Sequence, residues 1–211
     1  MKVITPEFEF IQKPDGEQFL HNLEYIGRVC YKSEDKITAD SAAKFVGILI
    51  KNGHESVIEH EKITVKITCD RGISHEIVRH RLASYSQEST RYCNYNKEKF
   101  GNELTFIRPY FWNDDPQKFA LWEQTMAQIE NAYIQLIGIG ATPDEARTVL
   151  PNSLKTEIVM TMNLREWRHF FVLRTSPKAH PQMREVTIPM LKAFQKEVPV
   201  IFDDIIISKS I

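Results

Sequence analysis

The chain has 211 residues, of which 42% are hydrophobic and 26% charged, as is typical of one or two globular domains. Its 27 basic and 28 acidic residues leave a net charge of -1, so bulk attraction to nucleic acid or to an anionic membrane is not expected. Three cysteines without CxxC spacing indicate neither a disulfide framework nor a thiolate zinc site. No apolar run approaches the roughly 20 residues of a membrane span, and the N-terminal stretch lacks a signal-peptide core. We therefore expect a protein of the reducing cytoplasm, with no nucleic-acid or membrane partner.

The first part of the chain predicts strands and helices in turn. KVITPEFEFIQ has strand character, and the turn residues KPDG end it. Apolar residues recur at helical spacing over residues 17–33, and a second helix is expected over residues 40–52 with Gly53 as its stop. In EKITVKITCD, residues 61–70, apolar and polar residues alternate, which predicts a strand with one solvated face. RGISHEIVRHRLAS then begins with a short helix.

The second part of the chain predicts longer helices. FALWEQTMAQIENAYIQLIGIG is a long helix ended by glycines, and in ATPDEARTVLP the residues Thr142, Pro143 and Glu145 form a helix start with a capping box. LKTEIVMTMN predicts a strand, whereas LREWRHFFVLRT and QMREVTIPMLKAFQKEV predict helices. Because there is no regular βαβ rhythm, we predict an α+β fold: one mixed α/β domain over residues 1–211, with a central, mostly antiparallel sheet flanked by helices.

The segment RHRLASYSQESTRYCNY, residues 79–95, is dense in hydrogen-bond donors. In an extended or loop conformation Arg79 and Arg81 share a face, and two guanidinium groups about 6 Å apart repel by roughly 3 kcal/mol at an effective dielectric near 20. A fold tolerates this repulsion when an anion lies between the two groups. Nearby hydroxyl groups and Arg91 add donors suited to phosphate oxygens. The pattern indicates an anion site, and a solvated basic loop is the alternative.

HESVIEH, residues 54–60, offers histidine and glutamate side chains that could bind zinc. Its spacing is not that of an HExxH helix, because five residues separate His54 from His60. Solvent-facing histidines and an organic ligand site are the other interpretations. Further along, VMTMNLREWRHFFVLRTS places Arg165 and His169 on one helix face, which by itself fits a cationic solvated side.

Nucleophilic catalysis has weaker support in the sequence. Ser84, Ser89 and Cys93 are candidate nucleophiles only if a base is positioned beside them, and His80 is the nearest such base in sequence. No GxSxG elbow, P-loop or GxGxxG motif occurs, so hydrolase, NTPase and Rossmann functions lose their usual sequence support.

Four segments, taken together, resemble the flavin-dependent thymidylate synthases. Arg79-His80-Arg81, followed after seven residues by Ser89 and then by Arg91, is similar to the signature of that family. HESVIEH resembles its His-Glu-Ser/Thr-x-x-Glu-His segment, EARTVLP its Ala-Arg-x-x-Leu-Pro segment and MNLREWRHFFVLR its Asn-x-Arg…Leu-Arg segment. The segments follow the family order between residues 54 and 174. Three positions differ from residues common in the family: Cys30, Gln87 and His169.

The resemblance implies a methyltransferase that converts dUMP to dTMP. It implies FAD as cofactor, NADPH and 5,10-methylenetetrahydrofolate as co-substrates, tetrahydrofolate as the released folate, and a homotetramer whose active sites form between subunits. The pyrophosphate of FAD and the phosphate of dUMP would provide counter-charge for the arginines. Each charge-assisted hydrogen bond of this kind contributes roughly 1.5–3 kcal/mol.

The resemblance also implies which residues bind each ligand. The positions implied for FAD are Ser56, Glu59, Arg79, His80, Arg81, Leu82, Asn163, Leu164, Arg165, His169 and Leu173. The positions implied for dUMP are Glu76, Ile77, Val78, Arg79, Gln87, Glu88, Ser89, Thr90, Arg91, Arg147 and Arg174. Arg174 is the implied catalytic residue, because a cation against the uracil ring favours negative charge at N3 and O4 and makes C5 a better nucleophile. No metal is implied, and Ser89 becomes an anchor for dUMP.

Two other functions remain as alternatives from the residues alone. One is a module that binds RNA or single-stranded nucleic acid on the basic and aromatic segment at residues 79–95. The other is a zinc-dependent hydrolase built on His54, Glu59, His60 and His80. A purified flavoenzyme is yellow and releases FAD on denaturation, whereas both alternatives predict a colourless protein.

Overall fold

The computed structural model of the chain describes residues 1–97 and 101–207. The strands are β1 (Lys2–Ile4), β2 (Glu7–Phe10), β3 (Lys62–Asp70), β4 (Ala83–Gln87), β5 (Thr105–Ile107) and β6 (Lys155–Asn163). The α-helices are α1 (Gly16–Val29), α2 (Ser41–Lys51), α3 (Arg71–Ile77), α4 (Pro116–Gly138), α5 (Pro143–Ala146), α6 (Leu164–Arg174), α7 (Pro181–Glu197) and α8 (Pro199–Phe202). Within these described residues, no helix is both long enough and apolar enough to cross a membrane.

The predicted fold class is confirmed, because the chain is a mixed α/β structure with an antiparallel sheet flanked by helices. This sheet has four strands in the order β2-β3-β6-β4. The chain forms two compact units. Unit 1 comprises Met1–Phe8, Lys66–Arg79 and the described part of Tyr85–Val159; unit 2 comprises Glu9–Val65, His80–Ser84 and the described part of Met160–Ile211. The assignment of residues 1–211 to one domain stays a prediction.

The element boundaries show where the sequence pattern was incomplete. KVITPEFEFIQ forms β1 and β2 instead of one strand, and Pro6, which has no backbone N–H, lies between them. The helix predicted to residue 33 ends at Val29, and Lys32 takes the left-handed conformation with φ 47° as the chain turns. The strands β4 and β5 and the short helix α8 were not predicted.

Unit 1 has its own hydrophobic core around α4. Its buried members are Tyr95, Leu104, Phe106, Trp122, Met126, Tyr133, Ala146 and Leu154. At one edge β1 pairs in parallel with β5, with Val3 opposite Phe106, and the amino group of Met1 lies 3.0 Å from a carboxylate oxygen of Glu103. The predicted capping box is confirmed, since the Thr142 hydroxyl accepts from the Glu145 backbone N–H and the Glu145 carboxylate accepts from the Thr142 backbone N–H.

Unit 2 is built on α6, whose buried side packs into an aromatic cluster. Trp167, Phe170 and Phe171 of α6 are fully buried, and the ring of Trp167 lies 4.8 Å from that of Phe194 in α7. The indole N–H of Trp167 donates to the backbone carbonyl of Ile63 in β3 at 3.0 Å. Because each ring both buries apolar area and contacts the next one, this cluster fixes α6, the helix that carries much of the candidate site.

Removal of one ring from this cluster should destabilise unit 2. Phe171 stacks with Trp167 at 5.5 Å and lies edge-on to Phe194 at 4.9 Å, so Phe171→Ala should lower the free energy of unfolding by about 3–5 kcal/mol. Val172→Ala is the matched control, because Val172 is the next residue and is exposed; its effect should stay within about 0.5 kcal/mol. Denaturant unfolding measures both. Equal effects of the two substitutions would contradict the role of the cluster.

Candidate functional site

A cavity of about 640 Å³ opens beside the N-terminal half of α6 in unit 2. It is lined by Glu55, Glu59, Leu82, Asn163, Arg165, Glu166, Arg168, His169 and Val172. Five of these residues belong to the set that the sequence implied for FAD: Glu59, Leu82, Asn163, Arg165 and His169. Because they come from three segments that are distant in sequence, the fold assembles this part of the implied set.

The start of α6 places two of these residues. Asn163 is the N-cap of the helix, and its side-chain oxygen accepts from the Glu166 backbone N–H at 2.8 Å. This orientation leaves the amide nitrogen of Asn163 as a donor that a ligand could use. Arg165, about half exposed, donates to Glu59 at 2.5 Å, and its Nε lies 3.6 Å from Glu55. The hydrogen bond to Glu59 raises the pKa of Arg165 above its ordinary value.

Glu55 links this cavity to a second one. The second cavity, of about 420 Å³, is lined by Ser56 together with Cys30, Tyr31, Leu49, Gly53, His54, Val57 and two residues of the first cavity, Glu55 and Arg165. Arg168 donates from Nε to Glu55 at 3.1 Å and forms a two-pronged ion pair with Asp204 at 2.6 and 2.7 Å. The sequence gives no signal for these ion pairs of Arg168, because Glu55 and Asp204 lie more than thirty residues away from it along the chain.

His80 is the most enclosed polar residue implied by the signature, with 5% of its surface exposed. Its Nε2 accepts a hydrogen bond from Nε of Arg174 at 3.0 Å, and its Nδ1 lies 3.3 Å from a carboxylate oxygen of Glu166. A guanidinium N–H can only donate, so Nε2 carries no proton and the proton of the neutral ring is on Nδ1. Burial lowers the pKa of His80, the hydrogen bond to Glu166 opposes this shift, and the charge of Arg174 adds to it.

His80, Glu166 and His169 are also a group of metal-ligating side chains, with donor atoms within 4.8 Å of one another. Both ring nitrogens of His80 already make hydrogen bonds, and a metal ion there would lie next to the positive charge of Arg174. This geometry favours a hydrogen-bonded chain over a metal centre. Among residues 1–97 and 101–207, the histidines of HESVIEH do not belong to such a group. The implied lack of a metal stays a prediction.

Unit 1 contains a second group of implied residues, which centres on a carboxylate that the sequence did not indicate. Nε of Arg91 lies 3.2 Å and Nε of Arg147 3.1 Å from the same oxygen of Asp144. All three side chains are between 42% and 54% exposed. Two guanidinium groups on one accessible carboxylate are an arrangement that can exchange the carboxylate for a phosphate. The sequence offered only an indirect signal for Asp144: it lies three residues before Arg147, a spacing at which side chains on a helix can pair.

Glu88 has a different environment, since protein donors already bind both of its carboxylate oxygens. The Tyr95 hydroxyl donates to one at 2.8 Å, and Nζ of Lys155 donates to the other at 2.9 Å. Burial raises the pKa of Tyr95, and the neighbouring Glu88 raises it further. Burial alone would lower the pKa of Lys155, but hydrogen bonds to Glu157 and Glu88 raise it above the ordinary value. Glu88 therefore fixes the conformation of the segment that follows β4.

Gln87 is held in the same way. Its side-chain nitrogen donates to the hydroxyls of Ser74 at 2.9 Å and Thr156 at 3.2 Å. Two residues further along the chain, the hydroxyl of Ser89 accepts from the Arg91 backbone N–H at 3.3 Å.

The remaining implied residues divide by burial. Ile77 and Leu164 are fully buried, so their side chains belong to the interior and any ligand contact would involve their backbone. Thr90 is also buried, whereas Glu76 is partly exposed. The exposed members are Val78, Arg79, Arg81, Leu82 and Leu173.

The division of the chain also separates the two implied ligand sets. Apart from Arg79, every residue implied for FAD lies in unit 2. Apart from Arg174, every residue implied for dUMP lies in unit 1. The assignment of each residue to its ligand stays a prediction.

Comparison with known proteins gives a consistent result. A family model described as thymidylate synthase complementing protein matches residues 16–200. A flavin-dependent thymidylate synthase of Pyrococcus furiosus is 37% identical over 82% of this chain and 71% of that protein. Those of Geobacter sulfurreducens and Mycolicibacterium gilvum are 35% and 34% identical, over 84% and 94% of this chain and over 78% and 84% of their own lengths. The chain therefore belongs to the flavin-dependent thymidylate synthase family.

A solved structure agrees with the fold. The crystal structure of a UMP/dUMP methylase PolB from Streptomyces cacaoi, bound with 5-Br dUMP, matches with a TM-score of 0.78 and covers 96% of both chains. At 23% sequence identity this likeness supports the fold alone.

The lowered pKa of His80 predicts a pH dependence of stability. Because the unfolded state binds the proton more tightly, this group stabilises the folded chain above its unfolded pKa of about 6.5, and the stabilisation is lost as the pH falls through the folded pKa. Each pKa unit of difference corresponds to about 1.4 kcal/mol. Denaturant unfolding between about pH 7 and pH 5 should show a smaller loss for His80→Gln, which does not titrate, than for the unsubstituted chain. Equal losses of unfolding free energy in the two proteins would contradict a lowered pKa of His80 in the folded chain.

Proposed function

We propose that this chain is a flavin-dependent thymidylate synthase that methylates dUMP to dTMP, using 5,10-methylenetetrahydrofolate as carbon donor and NADPH as reductant. The observation that carries the proposal is the cavity at the start of α6, where Glu59, Leu82, Asn163, Arg165 and His169 are gathered. Because the family is flavin-dependent, FAD is the ligand that we propose for this cavity. The bound FAD supplies the redox chemistry of the reaction, and the protein supplies binding, orientation and charge.

The chemistry of the cavity fits a flavin nucleotide. Arg165 offers a half-exposed guanidinium for a pyrophosphate, and Asn163 and His169 offer further hydrogen-bonding groups. Leu82, which is 73% exposed, and Val172 provide apolar surface suited to a flat ring. Since Arg165 pairs with Glu59 and Glu55, the ligand would exchange one counter-charge for another, without having to stabilise an isolated cation.

The site proposed for the phosphate of dUMP is the arginine pair of unit 1. Arg91 and Arg147 share Asp144, and the accessible guanidinium groups suit a dianionic phosphate. Ser89, whose hydroxyl accepts from the Arg91 backbone N–H, is proposed as an additional anchor. Gln87 and Glu88 are proposed to hold the backbone of this segment in a fixed conformation, since protein hydrogen bonds already restrain their side chains.

Arg174 is proposed to polarise the uracil ring. It ends α6 and is partly buried, and its Nε is held by His80. A cation held in a fixed orientation and partly removed from water stabilises developing negative charge at N3 and O4 more strongly than a solvated one does. Electron density at C5 then rises without a covalent enzyme nucleophile, so neither Ser89 nor Cys93 is needed for the carbon transfer.

We further propose a homotetramer with active sites between subunits, in the cytoplasm. Large exposed apolar side chains such as Tyr92, Leu121 and Ile139 support assembly, because a second subunit can cover them. Light scattering on the purified protein measures the assembly directly. The three free cysteines fit a reducing compartment.

The direct test of the function compares apoprotein with protein reloaded with FAD. With dUMP, methylenetetrahydrofolate and NADPH, dTMP should form in proportion to the FAD bound, and the apoprotein should form none. Arg174→Ala should still bind FAD yet form dTMP on the order of 10²- to 10³-fold more slowly. A protein that binds FAD and forms no dTMP, or one that forms dTMP without FAD, would contradict the proposal. A colourless protein that binds RNA or needs zinc would favour the alternatives.

Removal of the carboxylate that competes with phosphate should strengthen dUMP binding. Asp144→Asn keeps the shape of the side chain but removes the charge shared by Arg91 and Arg147, so the dissociation constant for dUMP should fall by up to about fivefold, the scale of an exposed ion pair. The gain should shrink at high salt. Asp114→Asn, at an exposed aspartate of the same unit, controls for the change in net charge. Weaker dUMP binding by Asp144→Asn would show that the carboxylate organises the arginines for the ligand.

A further inference from the structure

Glu166, Phe170 and Arg174 lie on one stripe of α6, because their spacing of four residues brings them to the same helix face. The ring of His80 lies against the middle of this stripe, with its centroid 4.9 Å from that of Phe170 and the rings at 68°. Glu166 therefore reaches Nδ1 of His80 from one end and Arg174 reaches Nε2 from the other. Glu166 is 12% exposed and the histidine side chain 4%, so water competes little for these hydrogen bonds.

The protonation of His80 decides whether this chain of hydrogen bonds can exist. With the proton on Nδ1, the ring donates to Glu166 and accepts from Arg174, and each group has a suitable partner. With the proton on Nε2, two N–H groups would face each other at Arg174, and Nδ1 would face a carboxylate without a proton between them. An imidazolium ring would satisfy Glu166 but would place a second cation against the guanidinium.

We infer that Glu166 is a positioning residue for the reaction: it holds His80 in the Nδ1–H form, and His80 in turn holds Arg174 through its Nε. This inference rests on the proposed function for the role of Arg174. The planar guanidinium has Nε on one side and the two Nη groups at its end, so a fixed Nε limits rotation of the group that is proposed to face uracil. Glu166 contributes through the orientation of Arg174 and has no assigned contact with a ligand.

The positions of Glu166 and Arg174 in the helix also suit their charges. It lies in the first turn of α6, where a carboxylate interacts favourably with the helix dipole, and Arg174 lies in the last turn, where a cation does. The side chain of Asn163, the N-cap of the helix, accepts from the Glu166 backbone N–H. This hydrogen bond restrains the backbone from which the Glu166 side chain projects.

Three variants separate positioning from a merely structural role. Glu166→Ala removes the acceptor for Nδ1–H, and Glu166→Gln keeps an oxygen acceptor without the charge. The control is Glu197→Gln, the same substitution at a partly buried glutamate of unit 2 that pairs with Lys13 at 3.1 Å. The measurements are ¹⁵N NMR of the imidazole nitrogens in the FAD-loaded protein, with His80→Gln to assign the signals, and kcat and KM for dUMP.

In the unsubstituted protein and in Glu197→Gln, Nε2 of His80 should show the shift of a bare nitrogen and Nδ1 that of an N–H. Glu166→Ala should move Nε2 toward the N–H shift and lower kcat by about 10- to 100-fold, by analogy with the loss of the hydrogen-bond partner that orients a metal-ligating histidine, with little change in the KM for dUMP. Glu166→Gln should retain the bare Nε2 and most of the rate.

Three results would overturn the inference or its positioning role. An N–H shift at Nε2 of the unsubstituted protein would reject the chain of hydrogen bonds even if dTMP is formed. An unchanged kcat in Glu166→Ala, despite an altered His80 spectrum, would reject the positioning role. If the unsubstituted FAD-loaded protein shows a bare Nε2 but forms no dTMP, the proposed function fails and the positioning role fails with it, while the hydrogen-bonded chain itself is retained.

Discussion

The hydrogen bonds that join His80 to Arg174 and to Glu166 constrain the candidate site. Arg174 can only donate, so Nε2 of the ring must be bare, and Glu166 stabilises the Nδ1–H form by accepting from Nδ1. Because the ring is buried on Phe170, solvent cannot readily substitute for either partner. The side chain that is proposed to act on uracil is thus oriented by a neutral histidine, and the aromatic cluster beneath α6 fixes the helix from which it projects.

The arginines of the candidate site already have protein counter-charges. Asp144 lies between Arg91 and Arg147, and Glu59 and Glu55 pair with Arg165. The sequence predicted an anion between Arg79 and Arg81, which stays a prediction. At Arg91, Arg147 and Arg165 the chain itself supplies the counter-charge. Binding of a phosphate would then be an exchange of partners, whose net free energy is smaller than that of the new hydrogen bonds alone. At Arg91 and Arg147 such an exchange suits the proposed nucleotide substrate, which must leave as product after each turnover.

Much of the fold could be predicted because its long elements have clear periods. The helices α1, α2, α4, α6 and α7 carry apolar residues at helical spacing, and β3 alternates until its last residues become buried on both faces. The strand β4, with the sequence ASYSQ, has no apolar alternation, and β5 is only three residues long, so tertiary pairing decides both. Local propensity contains no such information.

The candidate site could be predicted in part, through the resemblance of motifs. Residues of the signature segments gather at the cavity beside α6, whereas Glu166 and Asp144 were not indicated, although both lie within these segments or next to them. Glu166 pairs with His80 and Asp144 with Arg91 across long sequence separations, and one sequence does not encode such pair distances in a readable way. The spacing of Glu166, Phe170 and Arg174 is visible in the sequence. Only the folded structure shows that His80 lies between Glu166 and Arg174 and bonds to both.

Neutron diffraction from crystals of the FAD-loaded protein exchanged into heavy water would locate the proton on His80 directly. We expect a deuterium on Nδ1, directed at Glu166, and a bare Nε2 that accepts the Nε–D of Arg174. Deuterium on Nε2, with or without one on Nδ1, would contradict this description of how Arg174 is held.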